Sequence, residues 1–262
     1  MKRIYTLLLS LLALCAVYAQ TDGEGGKENE ISESTPTELT IIERVDSIME
    51  AGLYMEALEL INSYHLRLKT SEGRDLPQVI YLQKCKALHY MEEWDELVKV
   101  VDDCLQAYGN FNDESFLSHL YYLQGYAYMN MEKYRSSICS LEHMIPYSMK
   151  TGHLSDVAMA YSGIAFCYKE MDRLSAAFSF YEKACSIYMK NFNVSRSYLL
   201  KHKLCASDTN KDRHSISLFA SCLFDMALLK MKNGEFALAK EYFRMSANCG
   251  NKSAQAYERA MP

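Results

Sequence analysis

The sequence predicts an all-α fold: an α-solenoid of about five stacked antiparallel helical hairpins. Three observations predict it. The 262 residues are 49% hydrophobic with only four prolines and eleven glycines, so breakers are too rare for a strand-and-turn protein. Three stretches fall in register at steps of 40: "YMEEWDELVKVVDDCL" at 90–105, "NMEKYRSSICSLEHMI" at 130–145 and "EMDRLSAAFSFYEKAC" at 170–185. Finally, small and large apolar residues recur at fixed offsets around each predicted turn, the signature of units that stack.

Each unit turns on a short polar segment followed by a large side chain. The turns are Gly52-Leu53-Tyr54, Glu92-Glu93-Trp94, Glu132-Lys133-Tyr134, Asp172-Arg173-Leu174 and Gly234-Glu235-Phe236. Three residues after the large side chain stands Ala57, Leu97, Ser137, Ala177 or Ala239. Four further on comes Ile61, Val101, Leu141, Tyr181 or Phe243. Nine residues before the large side chain lies Val45, Cys85, Gly125, Ala165 or Ala227. Small residues at facing positions let two antiparallel helices approach. The large turn residue covers the hairpin end, and the later apolar residue faces the next unit. One hairpin cannot bury its apolar face alone, which is why such units come in arrays.

These marks resemble the tetratricopeptide repeat, carried by Leu123-Gln124-Gly125-Tyr126-Ala127-Tyr128, Glu132-Lys133-Tyr134 and Ser137, and again by Ala165, Tyr168, Asp172, Leu174, Ala177, Tyr181 and Ala184. That repeat usually has a period of 34, so a step of 40 is a long variant. The final segment, through Ala247, Gly250 and Ala254, resembles the related Sel1-type repeat. Between Leu174 and Phe236 the step is 62 instead of 40, and an added or broken helix is expected in residues 191–214.

Two segments precede the repeats. Residues 1–19 have Lys2 and Arg3, an apolar run and Val17-Tyr18-Ala19, the pattern of a secretory signal peptide cleaved before Gln20. Cys15 raises a lipoprotein alternative, but Leu14 stands where lipid modification needs a small residue. Residues 20–37 are acidic and small and read as a flexible tether. The repeat domain is then 38–262. Export to a bacterial periplasm or envelope is expected, with no membrane span after cleavage. Removing Lys2 and Arg3 takes the net charge from −5 to −7; an acidic chain without a basic stripe argues against nucleic acid.

A search for chemistry finds no Gly-rich phosphate loop, HExxH, GxSxG or CxxC. His89 and His119 lie on the first helices of neighbouring units but have no third ligand. No catalytic residue, metal or cofactor is expected. Eight cysteines follow the signal segment. Cys85 and Cys104 occupy small-residue slots and read as buried thiols, with disulfides as the alternative in an exported chain. The acid pairs Glu92-Glu93 and Asp102-Asp103 read as solvated.

In such an array the first helix of each hairpin lines the concave side. The groove positions are then Lys86, His89 and Tyr90 in the second unit and His119, Tyr122, Tyr126, Met129 and Asn130 in the third. The fourth contributes Ser162, Phe166, Lys169 and Glu170, and the fifth Phe224 and Leu228. The resemblance implies a further test: some tetratricopeptide proteins clamp a terminal carboxylate with Lys, Asn and Arg here, whereas this chain has Tyr122, Tyr126, Ser162 and Phe166. What remains is aromatic and methionine-rich, a composition suited to protein contacts. The leading expectation is an exported non-enzymatic scaffold binding an envelope protein or peptide in its groove. The alternatives are a periplasmic sensory module that binds a small ligand and acts in trans, and a self-associating homo-oligomer.

Overall fold

The computed structural model describes residues 38–108, 113–204 and 213–261. The expected signal segment and tether, and Cys205, lie outside them. Among the described residues there are twelve α-helices and no strands. Two hairpins open the array: α1 (Glu38–Glu50) with α2 (Tyr54–Arg67), and α3 (Gln78–Tyr90) with α4 (Trp94–Tyr108). Two longer ones follow: α5 (Glu114–Asn130) with α6 (Tyr134–Thr151), and α7 (Leu154–Glu170) with α8 (Leu174–Phe192). A four-residue helix α9 (Arg196–Leu199) precedes the fifth hairpin, α10 (Arg213–Lys232) with α11 (Phe236–Asn248), and α12 (Lys252–Ala260) ends the array. The all-α solenoid expected from sequence is the observed fold.

Every predicted turn closes in one way. Gly52, Glu92, Glu132, Asp172 and Gly234 all adopt positive φ, between 56° and 78°. In the third turn the Lys133 amide donates to the Tyr128 carbonyl at 2.8 Å and the Glu132 amide to the Met129 carbonyl at 3.1 Å. The other four repeat this double bond, the Schellman closure that caps the last carbonyls of a helix. Glycine adopts this left-handed geometry freely; Glu92, Glu132 and Asp172 adopt it against their Cβ.

The core follows the repeat register. Ala57, Leu97, Ser137, Ala177 and Ala239 are all fully buried, as are Val45, Cys85, Ala165 and Ala227. The second helix of a hairpin buries one stripe: in α4 it is Leu97, Val100, Val101 and Cys104, the i, i+3, i+4, i+7 set of an amphipathic helix. First helices bury more of their circumference, as in α5, where Phe116, Leu117, Ser118, Leu120, Leu123, Gln124, Gly125 and Ala127 are buried. The reason is position, since α5 packs against α4, α6 and parts of α3 and α7.

The third unit shows where the long period goes. Helices of 17 and 18 residues, joined by tight turns, fill the step of 40. In the first unit the surplus forms a π-helical turn at Leu68–Glu72, stopped by Gly73 at φ 63°. In the 191–214 stretch, α9 is pinned to α11: the Leu204 amide donates to the Asn248 carbonyl at 2.8 Å, and Asn248 Nδ2 donates to the Leu199 carbonyl at 2.8 Å. Helix α10 has the length and mean hydropathy of a membrane-crossing helix, but half of that window is buried inside the fold, where it packs on α8 and α11. The packing accounts for its apolar content.

Seven described cysteines are free thiols, all buried except Cys139. Burial pushes the Cys85 and Cys249 thiols up to about 12. Asp102 is not merely solvated: it accepts from Gln124 Nε2 at 2.7 Å.

Candidate functional site

The first helices of the hairpins carry the groove. Along it runs a line of rings. Tyr54 stacks on Tyr90 at 4.8 Å, Tyr90 meets His89 at 5.6 Å, and His89 lies 4.8 Å from Tyr126, which lies 6.1 Å from Tyr122. Trp94, the large turn residue of the second hairpin, closes on His89 and Tyr126 at 5.6 and 5.8 Å. The ring line continues from the first hairpin to the third: His89 and Tyr90 are neighbours on α3, Tyr122 and Tyr126 lie one helical turn apart on α5, and the remaining contacts cross between helices. Burial among the rings lowers the His89 pKa, which favours the neutral imidazole. Its Nδ1 is buried without a partner among the described residues.

Past Tyr126 the groove opens into two adjoining cavities. One, of about 370 Å³, is lined by His89 on α3, Tyr122, Tyr126 and Met129 on α5, and Leu141 on α6. Met159, Ser162, Gly163 and Phe166 on α7, Tyr181 and Tyr188 on α8, and His214, Leu218, Ser221, Cys222 and Asp225 on α10 complete it. The other, of about 510 Å³, shares Tyr122, Met159, His214 and Leu218 and extends past His119, His153, Asp156 and Asn191. Gly163 lets α7 approach Leu141 on α6 closely: a Cβ there would come within 2.7 Å of Leu141 Cδ1.

One charged group lines the first cavity. Asp225 on α10 accepts from Lys169 Nζ on α7 at 2.9 Å, with both side chains about a quarter exposed. The same ammonium sits 4.8 Å above the Phe166 ring. Tyr181 stands beside Asp225; burial, with the carboxylate's charge adding to it, holds the phenol well above its usual pKa. Tyr122 is shifted upward too, by burial first and then by Tyr126. Both phenols stay protonated at neutral pH.

The predicted groove residues are therefore dispersed. His89, Tyr122, Tyr126, Met129 and Phe166 meet around the first cavity. His119 lines the second, its Nδ1 3.0 Å from the Ser115 carbonyl. Lys86 and Tyr90 are exposed beside the groove, and Asn130 turns back to the Tyr126 carbonyl at 2.9 Å. Lys169 is committed to Asp225. Phe224 packs instead against Phe243 and Tyr257, at 5.5 and 5.7 Å. His89 and His119 line different cavities, and no group of three or more metal-ligating side chains occurs among the described residues.

Sequence reasoning missed most of α10. Aligning the fifth unit by its turn selects Phe224 and Leu228, but the helix presents Leu218, Ser221, Cys222 and Asp225 to the cavity. A signal was present: these four follow helical spacing, and Asp225 is the lone carboxylate within the apolar helix α10.

No known protein-family profile matches this sequence, and none of the curated proteins matches it. Solved structures do match its fold. RapI in its apo form aligns with a TM-score of 0.64 at 14% identity, over 83% of this chain and 72% of that one. BtubC from P. vanneervenii gives 0.62 at 13%, over 86% and 82%. The TPR-like repeats of a Podosopora anserina kinesin light chain give 0.56 at 14%, over 85% and 96%. At such identities the likeness is one of fold, and the fold is the tetratricopeptide-type helical solenoid.

Proposed function

We propose that this chain is an exported, non-catalytic scaffold that holds another envelope protein or peptide against the first helices of its hairpins. The observation that carries the reading is the groove itself: a ring line leading into two adjoining cavities, walled by Tyr122, Tyr126 and Phe166. Partly buried aromatic side chains such as these supply large contact area at low entropic cost, the property of binding anchors. The solenoid fold supports the reading, because such arrays present extended surfaces rather than closed pockets. Export rests on residues 1–19, and its check is the N-terminus of the secreted form, expected at Gln20.

The test is affinity capture from cell envelopes with residues 20–262, against a variant in which Tyr122, Tyr126 and Phe166 are all alanine and circular dichroism shows the fold retained. A partner held by the parent and lost by the variant supports the groove. The same partner on both moves binding elsewhere.

One observation favours the sensory reading as a second. Cavities of 370 and 510 Å³ fall within the usual range for small-molecule sites. A small ligand would raise the melting temperature of the parent and leave the triple variant unmoved.

A further inference from the structure

The groove already shows the chemistry it favours. Lys169 Nζ rests between the Asp225 carboxylate, 2.9 Å away, and the Phe166 ring, 4.8 Å below. That is a cation held by an anion and an aromatic face, contributed in part by the protein's own lysine. The surroundings would suit a second one. Tyr122 and Tyr126 add ring faces to the same cavity. Asp225 and Asp156 are the only formally charged residues lining the two cavities, and neither lining contains Lys or Arg. Glu170, exposed at the end of α7, lies 3.9 Å from Lys169 and adds a third carboxylate near the rim. Lys169 offsets one of these three carboxylates, and His153 Nδ1 lies 3.6 Å from Asp156 Oδ2.

We infer that the groove takes a basic amphipathic peptide segment, seating a Lys or Arg side chain against Asp225 and the aromatic walls while adjacent apolar side chains enter the 370 Å³ cavity. The inference rests on the scaffold reading above and deepens it by naming the partner's chemistry. A carboxylate that is only a quarter exposed is screened less than one in open water. A cation over a tyrosine or phenylalanine face gains further attraction as it sheds water. An acidic segment would meet Asp225, Asp156 and Glu170 with no lining Lys or Arg to receive it. Lys169 competes for the site, and its long stem can swing aside.

The test uses fluorescence anisotropy at pH 8, with three labelled peptides of equal length. One alternates leucines with Lys and Arg, one carries Gln at the basic positions, and one carries Glu. The basic peptide is expected to bind at least tenfold tighter than the Gln peptide, the Glu peptide weakest, with the preference shrinking as salt rises. Asp225→Asn is expected to abolish the preference while retaining the Gln peptide. Lys169→Met should tighten the basic peptide by freeing the carboxylate. Glu142→Gln removes the same charge on α6, outside both cavity linings, and should leave the preference intact; this separates the site from the net charge of −5. Equal binding of the basic and Gln peptides overturns the inference, as does a preference that survives Asp225→Asn, or no binding by any peptide at millimolar concentration. If Asp225→Asn fails to fold, the ranking on the parent together with Lys169→Met decides. Capture of an acidic partner lost by the triple alanine variant would leave the scaffold standing and sink this inference alone.

Discussion

The third and fourth hairpins occupy one register, 40 residues apart, and fill it with opposite chemistry. The third buries small polar groups. Ser137 Oγ donates to the Gly125 carbonyl at 2.8 Å, Ser140 Oγ donates to Gln124 Oε1 at 2.7 Å, and Ser118 and Ser148 share a hydrogen bond of 2.7 Å. In the fourth, the same positions hold Ala177, Ala165, Phe180, Ile164, Ala158 and Tyr188. Leu141 becomes Tyr181. Burial is conserved at all but one of these positions: Ser148 and Tyr188 are each fully buried, and so are Ser137 and Ala177, whereas Ser140 is buried and Phe180 only partly. Register decides which positions leave water. The chemistry there is free, provided polar groups find partners and volume is filled. The fourth hairpin puts its volume into Tyr181 and Tyr188, which form the floor under the cavity facing α10.

The largest effect that sharpens this comparison is chemical. Cys139 on the outer helix of the third hairpin is exposed, whereas Cys167 and Cys185 in the fourth are buried and their thiols held above the usual range, mainly by burial. Iodoacetamide labelling followed by peptide mass spectrometry should modify Cys139 over ~100-fold faster than either, since the thiolate is the reactive form and the buried pair must await opening. Comparable rates would show the fourth hairpin to be loosely packed.

Next come the aromatic positions. Tyr188→Ala should cost about 3–5 kcal/mol in urea unfolding, as for other buried aromatics. Ser148→Ala, at the equivalent place, should cost about 1 kcal/mol, the net worth of one hydrogen bond. Similar losses would break the idea that the two hairpins carry their stability differently.

The third prediction concerns close approach. A Cβ on Gly125 would sit 2.9 Å from both Leu141 Cδ2 and Leu141 Cγ, so the whole Leu141 side chain would have to shift. Gly125→Ala should therefore destabilise by about 1–3 kcal/mol, and Leu141→Val should recover part of that loss in the double variant. In the fourth hairpin Ala165 is tolerated at the same position, so Ala165→Gly should cost only about 0.5–1 kcal/mol, the helix penalty of glycine.

The smallest effect lies in the turns that both hairpins share. A non-glycine residue in the left-handed region costs about 1–2 kcal/mol, and glycine gives back about 0.4–1 kcal/mol through the freer unfolded chain. Glu132→Gly and Asp172→Gly should each raise stability by about 0.5 kcal/mol. A loss at either turn would mean that its side chain holds it in place. Lys232 Nζ, 3.1 Å from Asp172 Oδ1, makes Asp172 the one to watch.

Much of this molecule was determined by its sequence alone. The hairpin count, the turn positions and the buried slots at Ala57, Leu97, Ser137, Ala177 and Ala239 were legible because stacking repeats the same local demand at each step. Of the residues named for a groove, His89, Tyr122, Tyr126, Met129 and Phe166 line one cavity. The tertiary structure decided what periodicity cannot carry. The slot residue Ala227 keeps α10 in register with its turn, but among the described residues α10 has no sixth hairpin to face, and the side it turns to the cavity is the one packed toward α7 and α8. That packing seats the partly buried Phe224 against Phe243 and Tyr257 and brings Asp225 to the cavity beside Lys169, 56 residues away in the chain. A repeat tells each residue how deep it lies within its own unit; only packing between units tells a lone carboxylate which cation it will meet.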